Sequence, residues 1–144
     1  VLLDLSHEID LLLWLFKKPI RFNYINKKVS NLKISSDDIF ILNGKITNKT
    51  YFSINLNYFS RFQSRTIILN FNNYDIKIDL LNFLVEKRGP NIKFRKKMKK
   101  VNRFENNLKI HKKIVNKDFK DICRINEGLE VLKLIHYIKK INSF

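Results

Sequence analysis

Alanine is missing altogether, and three glycines and two prolines are all that the 144 residues hold of those types. The glycines, at positions 44, 89 and 128, are too scattered for a glycine-rich phosphate loop. One cysteine, Cys123, excludes an internal disulfide and fits a cytoplasmic location. His7, His111 and His136 stand far apart, so no metal-ligand cluster is spelled out and no metal is expected. The apolar run near the start, Leu11 to Phe16, falls far short of a membrane span. The leading segment carries Asp4, Glu8 and Asp10 where a secretory signal has its basic region. No internal repeat is present.

What is present is lysine, asparagine, isoleucine and phenylalanine. Apolar residues make up 44% and aromatic residues 12%, enough for one domain with a real core and unlike a disordered chain. Lysine and arginine number 29 against 13 carboxylates, a net charge of +16. That excess has two readings. It marks a polyanion partner, whether nucleic acid, an acidic membrane surface or a phosphorylated substrate; or it follows from A/T-rich codons, which favour Lys, Asn, Ile and Phe and disfavour Ala, Gly and Pro. Placement discriminates between them. Concentration on one face with Arg95 to Lys100 favours nucleic acid, and an even spread favours composition. Composition is the reading adopted, so neither nucleic acid nor a membrane is expected as a partner.

Period-two alternation marks Ile20 to Ile25 as a strand. A second runs from Asp37 to Leu42, with Asn43-Gly44 as a tight turn into Lys45-Ile46-Thr47 and Asn48-Lys49 as another. Thr50 to Phe59 is the clearest strand, with Phe52, Ile54, Leu56 and Tyr58 on one face. Arg65 to Phe71 and Tyr74 to Asp79 follow around a turn at Asn72-Asn73, and Leu80 to Val85 is expected to add another. Glu86 to Lys100 reads as a break, its basic run Arg95 to Lys100 a mobile solvated loop. From Asn102 the period turns helical: Phe104, Leu108, His111 or Lys112, and Val115, continuing to Phe119, Ile122 and Cys123. A last helix starts at Asn126-Glu-Gly128, its stripe being Leu129, Leu132, Ile135, His136 or Tyr137, and Ile138. Cys123 is expected to be a core thiol. Strands joined by short connections predict a largely antiparallel meander with one apolar face.

The stretch from Asp4 to Trp14 is the one place where ionisable groups of catalytic type are packed among large apolar residues. As a helix it has Ser6 as N-cap, acids in the first turn, and Lys17-Lys18-Pro19 as its end. Ile9, Leu12, Leu13 and Phe16 form its apolar face; His7, Asp10, Leu11 and Trp14 share the adjoining one. Histidine can accept or give a proton near neutrality, and Asp4 or Asp10 would orient it. Spacing alone favours the plainer reading, that His7 caps a helix end and the acids are partners of the helix dipole.

Asp4-Leu-Ser-His7-Glu-Ile-Asp10-Leu-Leu-Leu-Trp14-Leu-Phe resembles the junction helix of the Gfo/Idh/MocA family of NAD(P)-dependent sugar and polyol dehydrogenases. Asp4 stands three residues before His7, where many members have four. Asn55-Leu-Asn-Tyr-Phe-Ser-Arg61 and then Arg65-Thr-Ile-Ile-Leu resemble the family's sheet segment, with Asn72-Asn73 in place of its Gly-rich turn. Asn126-Glu-Gly-Leu-Glu-Val-Leu-Lys-Leu-Ile135 resembles its closing helix. The matches come in family order.

The resemblance implies an α+β fold: an open, mostly antiparallel sheet with helices packed on one face, like the C-terminal domain of glyceraldehyde-3-phosphate dehydrogenase. Residues 1–144 would be one such C-terminal domain, with the N-terminal Rossmann domain absent from this chain. It implies oxidation of a hydroxyl on a sugar, nucleotide-sugar or cyclic polyol. His7 would be the acid/base and Asp4 its partner. Asp10, Tyr58, Arg61 and Arg65 would be the substrate-side residues, with Asp10 and Trp14 packing and positioning the helix. NAD or NADP would be bound mainly by the missing domain, and the sheet face would pair with a second copy in a homo-oligomer. This chain alone would then be inactive. The alternative is a non-catalytic dimerisation or basic nucleic-acid-binding module.

Overall fold

The computed structural model describes residues 6–16, 19–120 and 122–141. The chain divides into two compact units, residues 1–60 with 123–144, and residues 61–122.

The first unit is built from α1 (Ser6–Leu15), β1 (Arg21–Lys27), β2 (Ile39–Thr47), β3 (Thr50–Asn57) and α3 (Ile125–Ile141). The strands form an antiparallel sheet in the order β1-β2-β3. Register puts Tyr24, Leu42 and Ile54 in one row and Asn26, Phe40 and Leu56 in the next. That face packs on the helices. Phe40 and Leu42 join Ile9 of α1 and Val131, Leu134, Ile135 and Ile138 of α3 in the core. Alternation dictates the result, since every second residue of β2 and β3 is apolar and turns inward.

The second strand does not stop at Leu42. It runs through Asn43-Gly44, and the reversal comes at Asn48-Lys49, where Thr47 Oγ1 lies 3.0 Å from Thr50 Oγ1. Gly44 is needed there for space. A Cβ would stand 2.4 Å from the Arg21 carbonyl oxygen and 2.8 Å from both Phe22 Cβ and Phe52 Cε1. Two of those three belong to the backbone or its first carbon and cannot rotate away. Gly44→Val should therefore destabilise the fold by about 1–3 kcal/mol, read as a lower urea midpoint at unchanged slope. An unchanged midpoint would mean that β1 shifts freely against β2.

Two helix readings are corrected in detail. Ser6 is already helical rather than the cap of α1, and Lys17 and Lys18 lie outside the described residues. The buried stripe of α3 is Val131, Leu134, Ile135 and Ile138, while Leu129 and Leu132 are exposed. Leu, Val and Ile occupy two adjoining stripes on this helix, and periodicity alone did not say which faces the sheet.

The second unit holds β4 (Thr66–Asn70), β5 (Asp75–Asp79), β6 (Leu84–Gly89), β7 (Ile92–Lys97) and α2 (Arg103–Val115). Its sheet is an antiparallel meander, β4-β5-β6-β7. Leu80 to Phe83 is a turn, stapled by the Asp79 carboxylate on the Leu81 and Asn82 amides at 3.0 Å. The segment read as a break is a hairpin: Leu84–Gly89 pairs with Ile92–Lys97 across Pro90-Asn91. Charge concealed the strand, because lysines suit an exposed sheet edge. Asn102 caps α2 by accepting from the Phe104 amide at 3.1 Å, and its amide donates to Glu105. The helix ends at Asn116 rather than continuing to Ile122. No described residue of this unit is buried.

One buried carboxylate orders the long β1–β2 connection. Asp38 is fully shielded from solvent. Its oxygens accept from Lys28 Nζ at 2.9 Å, from the amides of Val29 at 2.8 Å and Ser30 at 3.0 Å, and from the Ser30 hydroxyl. Its backbone joins both flanking strands, donating to the Lys27 carbonyl and accepting from the Tyr58 amide. Burial alone would raise its pKa. The hydrogen bonds from Ser30, Lys28 and Val29 outweigh burial and hold the carboxyl well below the ordinary carboxylate range.

The folded pKa lies below the unfolded one, so Asp38 stabilises the fold at pH values above about 4 and that contribution fades as acid protonates it. Asp38→Asn should lower Tm by several degrees at neutral pH and flatten the acid limb of Tm against pH. Parallel acid limbs for the two proteins would refute this role.

Candidate functional site

Helix α1 is fixed in rotation by Ile9 and Leu12, both buried. His7 and Asp10, three residues apart, are thereby turned out of the core and lie exposed on one side. With Ser6 they form one wall of a shallow hollow of about 500 Å³. The other wall is the start of α3: Cys123, Ile125, Gly128, Leu129, Val131 and Leu132. Nothing lies within 4 Å of where a Cβ on Gly128 would stand, so that wall is open at its centre.

The hollow is apolar on the α3 side and ionisable on the α1 side. His7 Nε2 lies 3.3 Å from Glu8 Oε1, and its side chain is half exposed. That contact leaves Nδ1 as the nitrogen turned to other use. Glu8 is the partner that sequence reasoning missed. Adjoining residues on a helix do not ordinarily face each other, so spacing gave no signal for this pair. Asp10 shares the hollow, but no ion pair joins it to His7 among the described residues.

Cys123 is exposed rather than a core thiol. Partial burial pushes its pKa up, and the carboxylates of Asp10 and Glu127 push the same way against a small pull from the Gly128 amide. The thiol therefore stays protonated and is a poor nucleophile.

The other expected site residues are dispersed. Asp4 lies outside the described residues. Trp14 is 76% exposed. Tyr58 follows β3 and rests on the core of the first unit. Arg61 and Arg65 are exposed and belong to the second unit, where the Arg65 carbonyl accepts from the Leu80 amide at 2.9 Å. Among the described residues no cluster of His, Cys, Asp and Glu is arranged to hold a metal, and no helix is long and apolar enough to cross a membrane.

No family model and no curated protein sequence matches the chain. Solved structures do. Two crystal forms of the UDP-N-acetylglucosamine 3-dehydrogenase GnnA from Acidithiobacillus ferrooxidans match with a TM-score of 0.77 over 92% of this chain. The likeness is one of fold. Identity is 15%, and the match covers 43% of the GnnA chain, so this chain spans less than half the length of those enzymes. The α+β class and the open antiparallel architecture expected from the resemblance are those found, with the strands divided between a three-stranded and a four-stranded sheet.

Proposed function

We propose that the chain is the substrate-side part of an NAD(P)-dependent dehydrogenase of the Gfo/Idh/MocA family, acting on a hydroxyl of a sugar, nucleotide-sugar or cyclic polyol. The observation that carries this is the hollow at the start of α1, where a half-exposed histidine with a carboxylate at 3.3 Å faces an apolar wall. The fold shared with a nucleotide-sugar dehydrogenase supports the substrate class.

The chain's own residues do not fit a dinucleotide. Gly44 and Gly89 lie inside strands and Gly128 inside a helix, so none opens a loop of backbone amides for a diphosphate. The nicotinamide, which takes the hydride in such reactions, would be held by a part of the enzyme outside these 144 residues. What remains to this chain is the proton. His7 takes the substrate hydroxyl proton on Nδ1, and the Glu8 carboxylate at Nε2 stabilises the imidazolium. Asp4 is the further candidate to orient the ring. Asp10 lines the same hollow and would hydrogen-bond a neighbouring sugar hydroxyl. Tyr58, Arg61 and Arg65 are the remaining substrate-side candidates. The open faces of the sheets are the natural place for a second copy to pair.

The test is direct. The enzyme that carries this chain should form reduced nicotinamide with a nucleotide-sugar, sugar or cyclic polyol, while the 144-residue chain alone binds neither NAD nor NADP in calorimetry. Tight dinucleotide binding by the chain alone, or no reduction with any of the three substrate classes, would overturn the reading.

A further inference from the structure

Positive charge is not spread evenly along the chain. Residues 61–122 hold 17 of the 29 cations but only six of the 13 carboxylates. From position 93 to 122, twelve lysines and arginines face three carboxylates, and the eleven residues from Lys93 to Arg103 include seven cations and no carboxylate. A compositional bias would load both units alike. The excess has a place in the fold: β7, the link 98–102, and α2, which follow one another in the chain.

Three features of that stretch point the same way. Strand β7 is the sheet edge and every one of its residues is exposed. Alternation puts Lys93, Arg95 and Lys97 in one row, about 6.7 Å apart, a spacing comparable to that of successive phosphates in an extended single strand. Arg88 stands opposite Lys93 in the same row system. Glu86 engages Arg95 at 3.3 Å and Arg88 at 3.7 Å, but no carboxylate pairs with Lys93, Lys96, Lys97, Lys99 or Lys100 among the described residues. Aromatic faces lie uncovered among the cations: Phe94 is 48% exposed, Phe104 75% and Phe119 50%. Helix α2 buries none of its residues and adds Lys109 and Lys112. Guarding a sheet edge against aggregation accounts for lysines on β7. It does not account for Lys99, Lys100 and Arg103, which lie beyond the strand, or for bare phenylalanines beside them.

We propose that the end of β7, the link 98–102 and α2 form a docking track for a single-stranded polynucleotide, with phosphates on Lys96, Lys97, Lys99 and Lys100, the cations at and just beyond the strand's end, and bases stacked on Phe94, which shares the Lys96 face, and on Phe104. Clustered cations with aromatic side chains among them are what sequence-tolerant single-strand binding uses. An anionic membrane is the poorer fit, because the densest charge lies on the strand and link rather than flanking the apolar stripe of one helix. The proposal stands apart from the proton-transfer site and does not depend on it.

The experiment is fluorescence anisotropy of a labelled oligouridylate of about 20 nucleotides, titrated with the intact protein at several salt concentrations. Replacing Lys96, Lys97, Lys99 and Lys100 with Gln should raise Kd at least about tenfold and reduce the log–log salt slope by roughly 3. Replacing Lys27, Lys33, Lys45 and Lys49 with Gln, the same charge change in the other unit, should alter Kd by less than about twofold. Phe94→Ala with Phe104→Ala should weaken binding about tenfold or more at an unchanged salt slope. The proposal is overturned by equal losses in the two lysine variants, by an indifferent phenylalanine variant, by absence of binding, or by tighter retention on vesicles of anionic phospholipid than on the oligonucleotide.

Discussion

His7→Ala, made in the enzyme that carries this chain, should cut turnover by about 10²–10⁴-fold, the usual contribution of a positioned general base. The loss should appear in kcat and kcat/KM together, since the proton is transferred as the hydride departs rather than in binding. Stability should hold, because His7 lies half exposed while the buried face of α1 rests on Ile9 and Leu12. Glu8→Gln should give a smaller loss, keeping the base but removing the carboxylate at 3.3 Å that stabilises its charged form. Asp10→Asn should act on KM before kcat if Asp10 holds a substrate hydroxyl. Turnover unchanged in His7→Ala would take the histidine out of the chemistry and leave the hollow as a binding site only.

Legibility differed between the two units for a physical reason. In the first unit the apolar alternation of Phe52, Ile54 and Leu56 is paired with a buried sheet face, so pattern and burial agree. The Ile9–Leu12–Leu13 face of α1 was equally plain, because a helix packed on one side has one apolar stripe. Gly44 misled because asparagine–glycine ordinarily makes a turn. Here the glycine is a gap that lets Phe22 and Phe52 approach across β2. In the second unit β7 was hidden by its charge: Lys93, Arg95, Lys96 and Lys97 occupy a strand whose partner, β6, is visible only in three dimensions.

Of the site, His7 and Asp10 were readable as one face of a helix, and the fold brings them into one hollow with the start of α3. That α3 wall was out of reach. Cys123 and Gly128 lie more than a hundred residues on, and no spacing rule connects them to α1. Asp38 was likewise invisible as a structural centre, since its partners Lys28 and Ser30 are ordinary polar residues of a loop until the chain closes on them.

Phe40→Ala should be the most damaging single truncation, at about 3–5 kcal/mol. Phe40 is fully buried on β2, the middle strand of its sheet, and belongs to the cluster that joins the sheet to α1 and α3. Its cross-strand neighbours are Asn26 and Leu56, neither large enough to fill the space a benzyl group leaves. The rigid sheet on both sides limits collapse, so the cavity term adds to the lost transfer energy. The second unit supplies no comparable reserve, because none of its described residues is buried. A domain of ordinary stability, 5–15 kcal/mol, would lose a large share of it. Urea unfolding should show a lower midpoint at an unchanged slope, and Leu56→Ala, at a half-buried position beside it, should cost less. The fold's dependence on this core would be disproved by a Phe40→Ala midpoint no lower than that of Leu56→Ala.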